Sequence, residues 1–245
     1  MTLNAMIKAA AAAALAGLAA CSTPEDPKAF AHDPYEGTNR EIHDFNTGLD
    51  MVALRPAALL YDFVAPDLVK HLVGNGLNTL DTPGDVVNHL AQGEVMAAGR
   101  QTLRLGINLV LGLGVLDPAT DFGLPPEETD FGITLARAGA EEGAYLAVPF
   151  LGPKTERDFA GTIVDAILDP VGVAAAAAGV PAAATIGRRA LDVTDARSRN
   201  FDAVDRALYE SEDSYVATRA AYLQIRRRAV AGGATAESLP DVFQE

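Results

Sequence analysis

Apolar stretches that are interrupted by proline and glycine limit what this chain can fold into, because they are too short to cross a bilayer as single helices. The first segment carries four apolar residues at helical spacing: Ile42, Phe45, Leu49 and Val52. Asp33 stands in an N-cap position before Pro34, and Glu36 follows three residues after the cap. The sequence therefore predicts an amphipathic helix that begins at Asp33 and ends at Pro56.

Proline and glycine divide the chain that follows into further helices. The pattern predicts a second helix over residues 57–64 and a third that begins at Pro66 and breaks at residues 74–76. Residues 82–85, Thr-Pro-Gly-Asp, repeat the cap-plus-proline start and predict a new helix that closes at residues 92–93. A longer helix is expected from Glu94 to near Leu116.

The middle of the chain changes character between residues 117 and 153, where many prolines and glycines exclude a continuous helix. Short strands are predicted at residues 132–135 and 145–148. Helices are predicted over residues 155–168, after Pro170, and as one long final helix over residues 192–230. The predicted fold class is mostly α, with amphipathic helices and Pro/Gly-rich connections.

The N-terminal residues have the pattern of a bacterial lipoprotein signal. An Ala-rich apolar stretch follows Lys8 and leads to Leu-Ala-Ala at residues 18–20, directly before Cys21, the only cysteine of the chain. This resembles a lipobox, which predicts a signal peptide over residues 1–20 and a lipid anchor at Cys21. The alternative is an ordinary signal peptide with Cys21 incidental near its end. Ser22 in place of an aspartate favours outer-membrane placement, by resemblance to other lipoproteins.

Composition divides the remaining chain and excludes some partners. Residues 21–32 are polar with two prolines and predict a flexible tether, residues 33–231 form the predicted helical domain, and residues 232–245 a disordered tail. The formal net charge of −14 disfavours nucleic acid and simple attraction to anionic headgroups. The apolar fraction of 49% and mean hydropathy of +0.12 are high for an aqueous compartment. The apolar stretches 105–116 and 171–187 are short or broken, which favours buried or interfacial helices over membrane spans.

We find no constellation that predicts an enzyme. The chain lacks a Gly-x-Ser-x-Gly elbow and the glycine loops of nucleotide sites, and its four histidines have no metal-ligand spacing. We therefore expect no catalytic residue, metal or cofactor. A hydrolase stays open as an alternative, because a triad can assemble from distant positions.

Six separated motifs carry a resemblance to a known family. The first comprises Asp33, Pro34, Glu36, Gly37, Asn39 and Arg40, followed by Phe45 and Asn46. The others, in the same order, are residues 75–80 with 83 and 88–93, residues 104–117, residues 130–132 with 146–153, residues 157–158, and residues 213–224. Together they resemble the MlaA (VacJ) family of outer-membrane lipoproteins over nearly the whole chain after the signal. Ser214, Leu109, Val115 and residues 136–137 depart from the family pattern.

The resemblance implies both a fold and a function. Members of this family form a ring of amphipathic helices that lies in the membrane around a polar channel. The implied function is removal of mislocalised phospholipid from the outer leaflet of the outer membrane, which maintains its lipid asymmetry. The implied partners are phospholipids, the membrane, a trimeric porin and the soluble periplasmic carrier MlaC. A non-transporting scaffold that binds porins is the alternative, and a lipid hydrolase is a third.

Four residues are candidates for the channel or its gate. Arg104 and Asn108 are four residues apart and share a helix face, next to the flexible turn that contains Gly112 and Gly114. They are expected to contribute to a polar passage, which lowers the cost of moving a charged headgroup past hydrocarbon. The alternative is that Arg104 and Asn108 are ordinary helix-packing and capping residues.

Overall fold

The computed structural model describes residues 31–232, and within this range the chain is mostly α-helical, as predicted. The predicted signal peptide, Cys21, the tether up to residue 30 and the tail from residue 233 lie outside the described residues. The first half contains α1 (Glu36–Leu49), a first π segment (Asp50–Leu54), α2 (Arg55–Val64), α3 (Asp67–Ala91), α4 (Val95–Val110) and α5 (Pro118–Asp121). The second half contains α6 (Phe131–Arg137), β1 (Tyr145–Val148), β2 (Gly152–Thr155), α7 (Glu156–Leu168), α8 (Pro170–Ala177), α9 (Ala182–Arg199), α10 (Phe201–Asp205), a second π segment (Arg206–Glu210) and α11 (Ser214–Val230).

The first helix differs from the prediction at both ends. It begins at Glu36 without a side-chain cap. The carboxylate of Asp33 instead accepts hydrogen bonds from Asn39, Tyr215 and Arg219, so the predicted cap is wrong. The predicted end at Pro56 is also wrong. The Arg55 amide donates to the carbonyl of Asp50, five residues back, and this π turn carries the helical backbone on into α2.

An ionic cluster joins the two π segments. Arg197 donates to both carboxylate oxygens of Asp50, at 2.9 and 3.1 Å, and also contacts Asp205. Arg55 donates to the same Asp205 at 2.8 Å, and the Tyr209 hydroxyl donates to Asp50 at 2.7 Å. Ion pairs that include the buried Asp50 and Arg197 thus hold the two π segments together.

Helix α3 runs through both of its predicted breaks. The predicted end at residues 74–76 is wrong, because Gly74 and Gly76 permit close packing on other segments: a Cβ on Gly76 would lie 3.5 Å from Val115. The predicted helix start at Pro83 is wrong as well, since Pro83 lies inside α3. The hydroxyl of Thr82 donates to the Asn78 carbonyl at 2.8 Å, one turn back.

The centre of the chain contains a helix where a strand was predicted. Residues 132–135 belong to α6, whose first turn is capped by Asp130 accepting from the Ile133 amide at 2.9 Å, so the predicted strand is wrong. The strand predicted at residues 145–148 is confirmed as β1. It pairs antiparallel with β2, with Tyr145 opposite Thr155 and Val148 opposite Gly152. Helix α4 ends at Val110, short of the predicted Leu116.

The helices predicted over residues 155–168 and after Pro170 are confirmed as α7 and α8. The stretch Glu156–Ala177, with 22 residues, is long and apolar enough to cross a membrane by length and composition. Asp169 interrupts it, with a ψ of 104°, and divides it into two helices. Length and composition alone are weak evidence for a span.

The long final helix predicted over residues 192–230 is wrong, because it is divided into α9, α10, the second π segment and α11. Asp213 caps the last of these by accepting from the Val216 amide at 3.0 Å. The same carboxylate accepts from Arg40 of α1 at 2.9 Å. A tertiary ion pair and a local cap thus both fix a new helix start within the predicted helix.

Among the described residues, many polar side chains are buried and many large apolar side chains are exposed, which reverses the usual distribution in a water-soluble protein. Many buried side chains are polar or charged: Asn39, His43, Asp50, Thr79, Thr82, Asp85, Asn88, His89, Gln101, Arg104, Asn108, Thr134, Thr155, Arg157, Asp158, Asp195 and Arg197. Many large apolar side chains are exposed, among them Phe45, Met51, Val52, Leu59, Leu60, Phe63, Val64, Leu68, Met96, Leu103, Val110, Leu111 and Leu113. Phe63, for example, is 88% exposed. Extended apolar surface of this kind marks contact with a membrane or another protein.

Candidate functional site

A polar cavity of about 570 Å³ lies beside α3, which contributes one continuous face to its wall. Residues Gly74, Asn78, Asp81, Asp85 and Asn88 repeat at intervals of three and four, so they lie along one side of the helix. The beginning of α6, the end of α7, one face of α9 and the end of α11 complete the lining. Five segments that are distant in the sequence therefore meet at this cavity.

Acidic side chains predominate in the lining. The acids are Asp81, Asp85, Glu128, Asp130, Asp165, Asp169 and Asp192, and the cations are Arg189, Arg199 and Arg226. Several acids are paired: Asp130 accepts from Arg226 at 2.7 Å, and Asp81 contacts Arg188. The remaining carboxylates give the cavity an excess of negative charge.

Asp85 is the most deeply buried of these acids. Its side chain is 8% exposed, and one carboxylate oxygen accepts from the Thr129 amide at 2.9 Å. No Lys or Arg of the described chain forms an ion pair with it. Burial raises the pKa of Asp85 to about 7. A buried carboxylate without a counter-ion is costly, so this position favours either a proton or a cationic ligand.

Asp165 lies in a similar environment at the end of α7. It accepts from Asn88 Nδ2 and from the Phe131 amide, both at 3.0 Å, and these neutral donors are its hydrogen-bond partners. Burial raises its pKa above the ordinary value for an aspartate. Asn88 in turn accepts from the Thr134 hydroxyl at 3.1 Å. The side-chain amide of Asn88 thus holds the Asp165 carboxylate against α3 and α6.

A smaller cavity of about 160 Å³ adjoins the first and has the opposite charge. Its lining contains the cations Lys70, Arg104 and Arg199, the acid Asp117 and the neighbouring His71. Lys70 is paired with Asp62 at 2.8 Å and with Asp67 at 3.0 Å. Gly74, Asn78 and Arg199 line both cavities. The two cavities therefore adjoin along α3 and are together called the polar space. Its basic side chains in the smaller cavity, each held in an ion pair, lie near the start of α3, and its acidic side chains lie further along the same helix.

The predicted channel or gate residues lie mainly in a buried network beside this space. Arg104 donates to Asp117 at 2.9 Å, to the Thr120 hydroxyl at 2.9 Å and to the Leu124 carbonyl at 2.8 Å. Asn108 donates to Asp117 at 3.0 Å and accepts from the Ala119 amide at 3.1 Å. Of the four candidates, Arg104 borders the smaller cavity.

The two candidate glycines shape the turn after α4. A Cβ on Gly112 would lie 2.7 Å from the Asn108 carbonyl oxygen, so a larger residue would clash. Gly114 has a φ of +77°, which glycine adopts without strain. Its amide donates to the Asn108 carbonyl at 2.8 Å and closes the helix end.

The first sequence motif attaches α1 to the hairpin, away from both cavities. Asn39 donates to the Tyr145 carbonyl at 3.0 Å and accepts from the Ala147 amide at 2.9 Å. Two turns later, Asn46 makes the same pair of contacts with the Val148 carbonyl and the Phe150 amide. Each asparagine thus binds the backbone of the hairpin with both ends of its amide.

The remaining motif residues support this attachment or lie at the surface. Phe45 packs edge-on against Phe150, with ring centroids 5.4 Å apart. Arg40 bridges Glu36 and Asp213. Pro34 and Gly37 are exposed. The motif therefore contributes to folding at this position and lines neither cavity.

Sequence reasoning missed Asp85, Asp165 and Asp192 as functional candidates. A signal was available for Asp85, because Asn78, Asp81 and Asp85 occupy one helix face once α3 is taken as continuous. The predicted break at Gly74 and the predicted start at Pro83 divided that face between separate helices, so it was not recognised. Within residues 31–232, no group of His, Cys, Asp and Glu is arranged to hold a metal ion.

The fold and the cavities define a class: a mostly α-helical protein with a polar interior, an acidic passage-like cavity and an apolar exterior. The MlaA lipoprotein family model matches residues 31–229. The chain therefore belongs to the MlaA lipoprotein family.

Individual relatives and a solved structure agree with this family. The intermembrane phospholipid transport system lipoprotein MlaA of Shigella flexneri is 29% identical over 212 residues, covering 84% of this chain and 82% of the relative. An uncharacterized protein of Rickettsia felis is 38% identical over 134 residues, 54% of this chain and 53% of the relative. The chain thus spans about half the length of this relative.

A solved structure, described as the structural basis for maintenance of bacterial outer membrane lipid asymmetry, superposes with a TM-score of 0.69. It is 28% identical in sequence, and the match covers 81% of this chain and 98% of that one. The shared fold thus extends over most of the described residues.

Proposed function

We propose that this protein is the outer-membrane lipoprotein component of an intermembrane phospholipid transport system. In this proposal, phospholipid headgroups pass through the polar space beside α3 while the acyl tails remain in apolar surroundings. The observation that carries it is the reversed polarity of the fold, with charged side chains inside and large apolar side chains outside. A polar passage lowers the desolvation cost of moving a charged headgroup past hydrocarbon.

The finer roles rest on the family and on the names of its members. The protein would remove mislocalised phospholipid from the outer leaflet, pass it to the soluble periplasmic carrier MlaC and associate with a trimeric porin. Cys21 would carry the acyl chains that anchor it to the outer membrane. Support comes from the Shigella flexneri and Escherichia coli relatives, both named as intermembrane phospholipid transport system lipoproteins.

Lipid carried by the purified protein tests this function against a scaffold and a hydrolase. We expect intact phospholipid to co-purify and to move to a soluble carrier without ester cleavage. A scaffold that only binds porin would carry no stoichiometric lipid. A hydrolase would release fatty acid or lysophospholipid, which mass spectrometry detects.

Outer-leaflet phospholipid in a deletion strain tests the cellular role. Loss of the protein is expected to raise phospholipid at the cell surface, and the wild-type gene to restore the original level. An unchanged outer leaflet in the deletion strain would contradict the proposed role.

Extraction from membranes tests whether the body of the protein embeds itself. When Cys21 is replaced by serine and export is maintained by another signal peptide, we expect the protein to resist extraction by alkali and high salt. The apolar side chains of α1, α2 and α4 supply the reason, since burial of apolar surface is favourable at roughly 25 cal/mol per Å². Release into the soluble fraction would favour the scaffold.

Arg104 is proposed as part of the passage wall, because it borders the smaller cavity. Asn108, Gly112 and Gly114 would act on the passage through the turn that they shape. Charge reversal by Arg104→Glu, at a normal level of anchored protein, is expected to raise surface-exposed phospholipid. An unchanged outer leaflet at that protein level would refute this role.

A further inference from the structure

The polar space beside α3 has a charge gradient along a single helix face. Lys70 and His71 lie near the start of α3 and line the smaller cavity. Asp81 and Asp85 follow about three to four turns further along and line the larger cavity. At a rise of about 1.5 Å per residue, Lys70 and Asp85 are separated by roughly 22 Å along the helix axis. A ligand that moves along this face passes from basic side chains held in ion pairs to acidic side chains that include Asp85, unpaired within the described residues.

The acidic end contains carboxylates that form no ion pair within residues 31–232. Asp85 is nine-tenths buried, and the Thr129 amide supplies its hydrogen bond. Asp165 accepts hydrogen bonds from neutral donors, Asn88 and the Phe131 amide. Asp192 lines the same cavity and forms no ion pair within the described chain. Carboxylates in such an environment are compensated best by a ligand that is cationic and donates hydrogen bonds.

The cationic end accommodates the opposite charge. Arg199 lines both cavities, and its side chain is 59% exposed although it pairs with Asp195 at 2.8 Å. Asn78 lies beside it on α3 and also lines both cavities. The boundary between the two cavities therefore presents an accessible guanidinium and an amide to an anionic group.

We propose that this space selects phospholipids whose headgroup carries a primary ammonium, as in phosphatidylethanolamine, over those with an uncharged glycerol headgroup. The ammonium would bind between Asp85 and Asp165, and the phosphate would lie toward Arg199 and Asn78. The ammonium donates three hydrogen bonds and supplies the cation that the carboxylates lack. A glycerol headgroup supplies no cation, so its lipid brings a net negative charge to an acidic wall. This inference rests on the proposed transport function and specifies its substrate class.

A competition for bound lipid tests the inference. Full-length protein is purified from mixed micelles with equal amounts of phosphatidylethanolamine and phosphatidylglycerol, and bound lipid is quantified by mass spectrometry. We expect the wild-type protein to enrich the ethanolamine lipid about threefold to tenfold. Asp85→Asn and Asp165→Asn are each expected to lower that ratio toward one.

A matched control separates selectivity from general loss of charge. Asp202 is exposed on α10 and lines neither cavity, so Asp202→Asn should keep the wild-type ratio. Asp85→Asn retains an oxygen that can accept from the Thr129 amide, so the fold should be preserved, which circular dichroism checks. Equal ratios in the wild type and in Asp85→Asn would overturn the inference.

Two further outcomes have distinct meanings. A wild-type protein that binds no lipid would refute the proposed transport function itself, whereas lipid bound without headgroup preference refutes only the inference. A free cation is the other source of positive charge, and Mg²⁺ titrated by calorimetry is its probe. Mg²⁺ binding that depends on Asp85, together with a lipid ratio that does not, would assign the acidic end to a free cation and overturn the inference.

Discussion

Among single residues, Asp85 has the clearest energetic consequence. Burial raises its pKa to about 7, so the folded protein holds this proton more tightly than the unfolded chain, in which an aspartate titrates near 4. Its contribution to stability is therefore complete below pH ~4 and is lost as the pH rises through about 7. At neutral pH the buried Asp85 carboxylate therefore lowers the free energy of unfolding, and such costs are common at functional sites.

Asp85→Asn should stabilise the protein in a pH-dependent manner. The asparagine cannot ionise and can still accept from the Thr129 amide. In delipidated protein in detergent, we expect its advantage in the free energy of unfolding to grow from pH 5 to pH 8, reaching about 1–4 kcal/mol. Thermal unfolding followed by circular dichroism measures this difference. An advantage that is the same at both pH values would show that Asp85 does not titrate in this range.

Arg104 differs from Asp85, because an ion pair with Asp117 compensates its charge. Its guanidinium binds Asp117, Thr120 and the Leu124 carbonyl, and the side chain is buried. Arg104→Ala leaves Asp117 without its cation and should lower the free energy of unfolding by about 3–5 kcal/mol. Asn108→Ala, which removes one hydrogen bond to the Asp117 carboxylate and one from the Ala119 amide, should cost about 1–3 kcal/mol. Equal, small losses in denaturant titrations would contradict the buried network.

At the scale of helices, close approach between backbones sets the packing of α6 on α7. A Cβ on Gly161 would overlap the backbone of Gly132, so the two helices cross at a pair of glycines. Gly132 is also confined by Asp158, whose oxygen would lie 2.7 Å from an added Cβ. This contact places Asp165, about one turn after Gly161 on α7, at the wall of the acidic cavity.

Gly161→Ala should therefore destabilise the protein, although alanine is the better helix former. We expect a loss of about 1–3 kcal/mol from overpacking. Gly48→Ala in α1 is the matched control, since its Cβ would meet nothing within 4 Å, and it should stabilise by up to about 1 kcal/mol. Chemical denaturation of both variants measures the difference. Two stabilised variants would contradict the glycine crossing.

The differences between predicted and observed helices have physical causes at this scale. Local patterns predicted α7, α8 and β1 correctly, because capping residues and strand residues there agree with their tertiary surroundings. Gly74, Gly76 and Pro83 were read as breaks, yet packing against neighbouring segments holds α3 together through all three. The π segments depend on ion pairs between residues such as Asp50 and Arg197, which are 147 positions apart. No local pattern encodes such contacts.

The candidate site was predictable only in part for the same reason. Sequence alone suggested Arg104, which borders the smaller cavity. The acidic wall assembles from α3, α7 and α9, and the spacing of Asp85, Asp165 and Asp192 along the chain carries no signal of their proximity. The polar interior was expected only from the family resemblance, since the apolar helix faces by themselves favoured buried or interfacial helices without deciding between them. The structure exposes many of these faces.

For the molecule as a whole, reversed polarity and the continuous polar space belong to one arrangement. Large apolar side chains face outward along the first π segment, α2 and α4, where a membrane would cover them. Charged side chains face inward and line the cavities. The central claim is that phospholipid headgroups pass through the larger cavity, and Gly84 offers a way to close it without disturbing the fold.

Gly84 lines that cavity, and a Cβ added to it would meet nothing within 4 Å. Gly84→Phe should therefore place an aromatic ring in the cavity, whereas Gly99→Phe adds the same ring to an open face of α4 that lines neither cavity. The decisive measurement is outer-leaflet phospholipid in strains that carry each variant at equal protein level. The account predicts that Gly84→Phe raises it to the level of the deletion strain and that Gly99→Phe leaves it at the wild-type level. A wild-type outer leaflet with Gly84→Phe would contradict transport through this cavity.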